Sequence, residues 1–194
     1  MTNDLIENLD QAAAPRRIFL RNAGFAASGF GAIALAGISA GAKADPAQDV
    51  GIMQGALALE HEGIAAYQIA GASGLLTPAT LKTALIFLGH HQQHRDSLMA
   101  LISKAGGNPV KPKTDAEYTK SLNLGALKSE GDVVALATRL EQGATNAYAG
   151  QIAALQDRKL AHLFGQLATD EAVHWTTLNN ALGQPIQAKA YLFG

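Results

Sequence analysis

The 194-residue chain contains no cysteine, which excludes disulfides and lipoprotein attachment and leaves packing to hold the fold together. Charge is also scarce: 16% of residues are Asp, Glu, Lys or Arg, and the formal net charge is −1. So nearly neutral a chain offers no electrostatic footprint for nucleic acid, and no basic amphipathic stretch marks a membrane surface. No glycine-rich phosphate loop precedes a helix, and Ser97 and Ser103 have no oriented triad around them. Nor is there a ladder of aromatic and basic residues to suit single-stranded nucleic acid.

What is present begins at the front. Pro15-Arg16-Arg17-Ile18-Phe19-Leu20-Arg21 and Asn22 precede an uncharged Gly/Ala-rich stretch from Ala23 to Ala42. Ala42-Lys43-Ala44 then puts small residues at both positions that a signal peptidase reads, so residues 1–44 are expected to be an export signal cleaved after Ala44. The paired Arg16 and Arg17, followed by Phe19 and Leu20 and a mildly apolar, glycine-containing segment, resemble a twin-arginine (Tat) signal. That resemblance implies the twin-arginine export machinery as a partner, folded cargo, and a periplasmic or otherwise exported product with no membrane attachment after cleavage. A retained membrane helix is the competing reading, because Ala23 to Ala42 is about long enough to span a thin bilayer. Its Gly and Ser content argues against that.

Removing residues 1–44 takes Asp4, Glu7 and Asp10 from 16 acids and Arg16, Arg17, Arg21 and Lys43 from 15 bases, leaving 13 against 11. About 150 residues remain, enough for one domain, 45–194, with a real core. Apolar residues recur every three or four positions in four long segments, which predicts helices over 47–72, 78–105, 130–156 and 158–182. Thr77-Pro78 supplies a cap and a first-turn proline for the second, and Gly106-Gly107-Asn108-Pro109 ends it. Asp157 caps the fourth, and Gly183-Gln184-Pro185 stops it ahead of a tail over 183–194. Short links make two antiparallel hairpins, whereas the Pro-, Lys- and Gly-rich stretch from about 106 to 129 is far longer than neighbouring helices need. Four helices with one long central crossover are expected.

Within that frame lies a repeat. Glu171-Ala-Val-His174 places a carboxylate and an imidazole on one helix face, where they can grip one metal ion. Glu141 lies thirty residues earlier, and the same spacing counted from Glu60 reaches His90 and, one residue on, His91. His94 then stands where His174 stands in the second half. Glu60 and Glu141 are each followed seven residues later by a tyrosine, Tyr67 and Tyr148. Each half therefore supplies a glutamate on one helix and a ligand pair on the next, His-x-x-His in the first half and Glu-x-x-His in the second.

All these groups fall on apolar stripes. Met53, Ala56, Glu60, Ile64 and Tyr67 share one face, as do Val134, Glu141 and Tyr148; Leu88, His91, His94 and Leu98; and Leu167, Glu171, His174 and Leu178. Burying such groups unpaired costs several kcal/mol each, and a divalent cation neutralises them most directly. At about 1.5 Å per residue, Glu60, His94, Glu141 and Glu171 all come near mid-bundle.

This arrangement resembles the ferritin-like di-metal carboxylate superfamily of ferritins, rubrerythrins and manganese catalases, and covers nearly all of residues 46–182. The resemblance implies an all-α, ferritin-like four-helix bundle binding a divalent transition metal, iron or manganese. The family pattern of Glu, Glu-x-x-His, Glu, Glu-x-x-His falls on Glu60, His91 with His94, Glu141, and Glu171 with His174. His91 departs from it, standing where the family has a glutamate that often bridges the metals. Three carboxylates and three imidazoles remain, which suggests looser binding, a single-metal or asymmetric site, and a shift toward zinc or copper. A small helix rotation would let His90 replace His91, and the sequence leaves both open.

Tyr67 and Tyr148 are expected to donate hydrogen bonds to Glu141 and Glu60. His61 and His162 read as surface or partly buried side chains, and Arg95 and Arg139 as parts of a solvated face. A rubredoxin-like iron centre is excluded, since it needs cysteines. Three functions fit: an exported oxidoreductase reacting with oxygen or peroxide, a metal-binding stress protein without turnover, or a structural bundle with a degenerate site. The Tyr191-Leu192-Phe193 tail suits docking on its own bundle or on a partner, and a homodimer is compatible with either.

Overall fold

The computed structural model describes residues 46–185 and 187–193, so the segment expected from the sequence to be a cleaved export signal lies outside the described residues. Four long helices dominate: α1 (Pro46–Gly71), α2 (Pro78–Lys104), α4 (Glu130–Gln151) and α5 (Arg158–Ala181), with a short α3 (Asp115–Ser121) between α2 and α4. Three-residue 3-10 turns follow α3 at Leu124–Ala126 and α4 at Ile152–Ala154. No strand occurs among the described residues.

The helix ends follow local chemistry. Thr77 caps α2 with Pro78 in its first turn, Ser129 caps α4, and the Asp157 carboxylate accepts from the Lys159 amide at the start of α5. Past α2 and α5 the chain turns at Gly106 (φ +81°) and Gly183 (φ +65°), a backbone region in which side chains are strained. The third predicted helix is shorter than expected, because its last turn tightens into the 3-10 turn at Ile152–Ala154.

α1 packs on α2 and α4 on α5, and α1 also meets α4. Two apolar clusters fill the interior. One contains Met53, Leu57, Leu98, Ile102, Tyr148 and Phe164, the other Tyr67, Phe87, Val134 and Leu178. The long crossover is pinned rather than loose. Its segment Asn108–Val110 exchanges hydrogen bonds of 2.7 and 2.8 Å with the Gln54 side chain, His61 Nε2 lies 3.0 Å from the Val110 carbonyl, and Tyr118 of α3 is buried. His61 is therefore only 7% exposed, deeper than its sequence reading as a surface or partly buried group.

At the same end of α1, Asp49 accepts from the amides of Gln156 and Asp157 at 2.8 and 2.9 Å, tying α1 to the α4–α5 turn. Phe193 of the tail packs edge-on against Trp175 of its own α5, with ring centroids 5.1 Å apart. No helix among the described residues is long and apolar enough to cross a membrane.

Candidate metal centre

Between the two apolar clusters lies a layer of buried ionisable side chains, Glu60, His91, His94, Glu141, Glu171 and His174, drawn from all four long helices. All six sequence-predicted ligands meet there. They form two overlapping sets, each with ligand atoms within 4.8 Å of one another: Glu60, His91, His94 and Glu171, then His91, Glu141, Glu171 and His174. Each set can hold a metal ion.

The division of atoms is specific. In the first set His91 Nδ1 lies 2.8 Å from Glu60 Oε2, and His94 Nδ1 lies 3.1 Å from Glu171 Oε1. In the second, His91 Nε2 lies 3.2 Å from Glu141 Oε1, and His174 Nδ1 lies 3.0 Å from Glu171 Oε2. The fit to cations shows in one atom. Glu141 Oε2 is buried with no hydrogen bond; His174 Nδ1 lies 3.4 Å away and is engaged with Glu171. A buried carboxylate oxygen without a donor is costly, and a cation removes that cost.

Outer groups hold the ligands in place. The Tyr67 hydroxyl on α1 donates to Glu141 on α4, and the Tyr148 hydroxyl on α4 donates to Glu60 on α1, so the two halves brace each other. His94 turns Nε2 outward to Asp170 at 3.2 Å, and His174 turns Nε2 to His90 Nδ1 at 2.9 Å while stacking on Phe87. Such partners fix which ring nitrogen faces the centre. His90 is thus a partner of His174 and lies outside both sets, which distinguishes it from His91.

The sequence reading missed Asp170, whose half-exposed side chain looks like any helical surface acid. It also missed Gly63. A methyl at that position would come within 3.3 Å of the His91 ring, inside the usual carbon contact of about 3.5–4.0 Å. Gly63→Ala is therefore expected to raise helix propensity by about 1 kcal/mol while displacing the ring and weakening metal binding about tenfold or more. Calorimetric titration of the variant measures this, and unchanged affinity would show that the ring has slack.

Electrostatics of the metal-free centre follow from mutual pairing. Burial, the largest influence, opposes charge on His91, but hydrogen bonds to Glu141 and Glu60 overcome it and hold the imidazole well above its ordinary value. His94 is likewise opposed by burial and raised by Glu171 and Glu60, to about 10, and His174 is raised through Glu141 and Glu171. Burial pushes Glu60 and Glu141 upward, yet their histidine partners win and both end lowered. Burial prevails at Glu171, which ends raised.

A cavity of about 220 Å³ opens at the end of the bundle where α1 finishes and α2 begins. Tyr67, Ala70, Leu76, Val134, Ala137 and Leu178 are among its lining residues, none of which is charged. Tyr67 thus faces both the cavity and, through its hydroxyl, Glu141.

The family model for the ferritin-like domain matches residues 48–184, most of the chain. The chain belongs to the ferritin-like family. Among solved structures, the ferritin-like chain is similar to a conserved hypothetical protein, rv2844, from Mycobacterium tuberculosis. The two share 24% identity with a TM-score of 0.60, over 74% of this chain and 96% of that one, a likeness of fold alone. No curated protein matches the ferritin-like chain. Of the other singled-out groups, His162 and Arg139 are exposed, and Arg95 pairs with the neighbouring surface acid Asp96 at 2.8 Å.

Proposed function

We propose that this ferritin-like protein is exported, binds two divalent transition ions, iron or manganese, through Glu60, His91, His94, Glu141, Glu171 and His174, and reacts with oxygen or peroxide. The observation that carries the reading is the pair of ligand sets sharing His91 and Glu171 in the middle of the bundle. Once bound, such ions supply redox electrons and open coordination positions. The chain's own residues bind, orient and exclude water. Glu60 and Glu141 are steadied by Tyr148 and Tyr67, His94 and His174 are oriented by Asp170 and His90, and the apolar cavity ending at Tyr67 suits a small apolar molecule such as dioxygen.

Protein loaded with Fe(II) or Mn(II) is expected to consume oxygen or decompose peroxide catalytically, followed with an oxygen electrode and a peroxide assay. Bound metal without consumption supports a second reading, metal sequestration, which the near-complete burial of all six ligands favours. Export carries its own test. The paired change Arg16→Lys with Arg17→Lys is expected to keep the full-length chain inside the cell, and undiminished export would contradict the twin-arginine reading.

A further inference from the structure

We propose that His91 bridges the two ions through its imidazole ring, Nδ1 serving the Glu60–His94 position and Nε2 the Glu141–His174 position. The inference rests on the di-metal reading above and deepens it.

The three histidines of the centre are not alike. His94 and His174 each commit one nitrogen to a partner outside the ligand sets, Asp170 and His90, and so have one nitrogen to give. His91 commits neither: Nδ1 faces Glu60 and Nε2 faces Glu141, one member of each set. Glu171 is divided in the same manner, with Oε1 toward His94 and Oε2 toward His174. The two residues common to both sets are therefore the two whose ligand atoms are split between them. The ring is also given its place, since only a glycine at position 63 leaves room beside its Cε1 and Nδ1.

Charge leads to the same arrangement. Glu60, Glu141 and Glu171 bring three negative charges against four positive charges on two divalent ions. A neutral His91 would leave a buried positive charge without a counterion, which is costly. Both ring nitrogens face carboxylates in the metal-free centre and so carry N–H donors; a ring bonded to metal through both has given up two protons to solvent and carries the fourth negative charge, so the centre becomes neutral. Metal binding commonly displaces ligand protons in this way.

Because the two nitrogens lie on opposite sides of a five-membered ring, the ions stand farther apart than the about 3.5–4 Å of ordinary two-metal sites. The test uses protein loaded with Co(II) alone, with elemental analysis, proton release by pH-stat and X-ray absorption. Two ions per chain are expected in wild type with no metal–metal scattering at the short distance. His91→Glu is expected to take up two ions that do show it, and to release fewer protons on loading. Short-range metal–metal scattering in wild type, or proton release unchanged in His91→Glu or His91→Gln, would overturn the bridge while leaving the di-metal reading intact. Fewer than two ions in wild type would overturn both.

Discussion

Glu171→Ala is expected to abolish binding at both metal positions and to destabilise the metal-free protein by about 1–3 kcal/mol, the usual cost of leaving buried hydrogen-bonding groups without their partner. The side chain has no solvent exposure, and its two oxygens serve His94 and His174 separately. Truncation therefore leaves two buried imidazoles without a principal partner and takes a ligand from each set. Denaturant titration of metal-free protein gives the first quantity and equilibrium dialysis the second. A variant that keeps one tightly bound ion would show that the sets are independent, contrary to the shared-residue geometry.

The second large effect is a reversal of pH dependence by metal. In the metal-free protein the three histidines have raised values, so their contribution is complete below the ordinary 6.5 and is lost as pH climbs through the folded values, for His94 about 10. Glu60 and Glu141 are lowered, so theirs is complete above 4.5 and is lost as pH falls through the folded values. Glu171 is raised and acts in the same sense as the histidines, with its contribution complete only below 4.5. Metal-free protein should thus be most stable between about 4.5 and 6.5 and lose on the order of a few kcal/mol toward pH 10 through His94 alone.

Metal competes with those same protons, so its stabilising effect should grow across the range in which the apoprotein weakens. Urea unfolding at pH 5.5, 7.5 and 9, with and without Mn(II), measures both trends. Parallel curves would mean that the histidines are not ligands.

The helices were legible because each local signal agrees with the tertiary role of its segment. Thr77-Pro78, Asp157 and Gly183 mark ends that the structure keeps, and the apolar stripes lie on the faces that pack. The inward clustering of glutamate and histidine was legible for the same reason: at a 3.6-residue period, a charged group on an apolar stripe has nowhere to point but inward.

Side-chain rotation was not legible. Whether His90 or His91 turns into the centre depends on about 100° of helix, and the answer comes from the space beside Gly63 on another helix. The sequence also suggested that a histidine in place of glutamate costs the centre a bridging group. That the two ring nitrogens of His91 face Glu60 and Glu141 on different helices is an arrangement that only the distances reveal. The crossover helix carried a readable sign in its Thr114–Glu117 capping box, but a seven-residue helix among prolines and lysines lacks the periodicity that reveals longer ones.

The most direct test of the account is the metal content of the protein purified from its own cellular compartment, measured by elemental analysis against protein concentration. Two transition-metal ions per chain are predicted. A chain that emerges empty, remains empty after incubation with Fe(II) or Mn(II), and is as stable as the treated sample would contradict it, leaving His91, His94 and His174 as internal cations that neutralise the three glutamates.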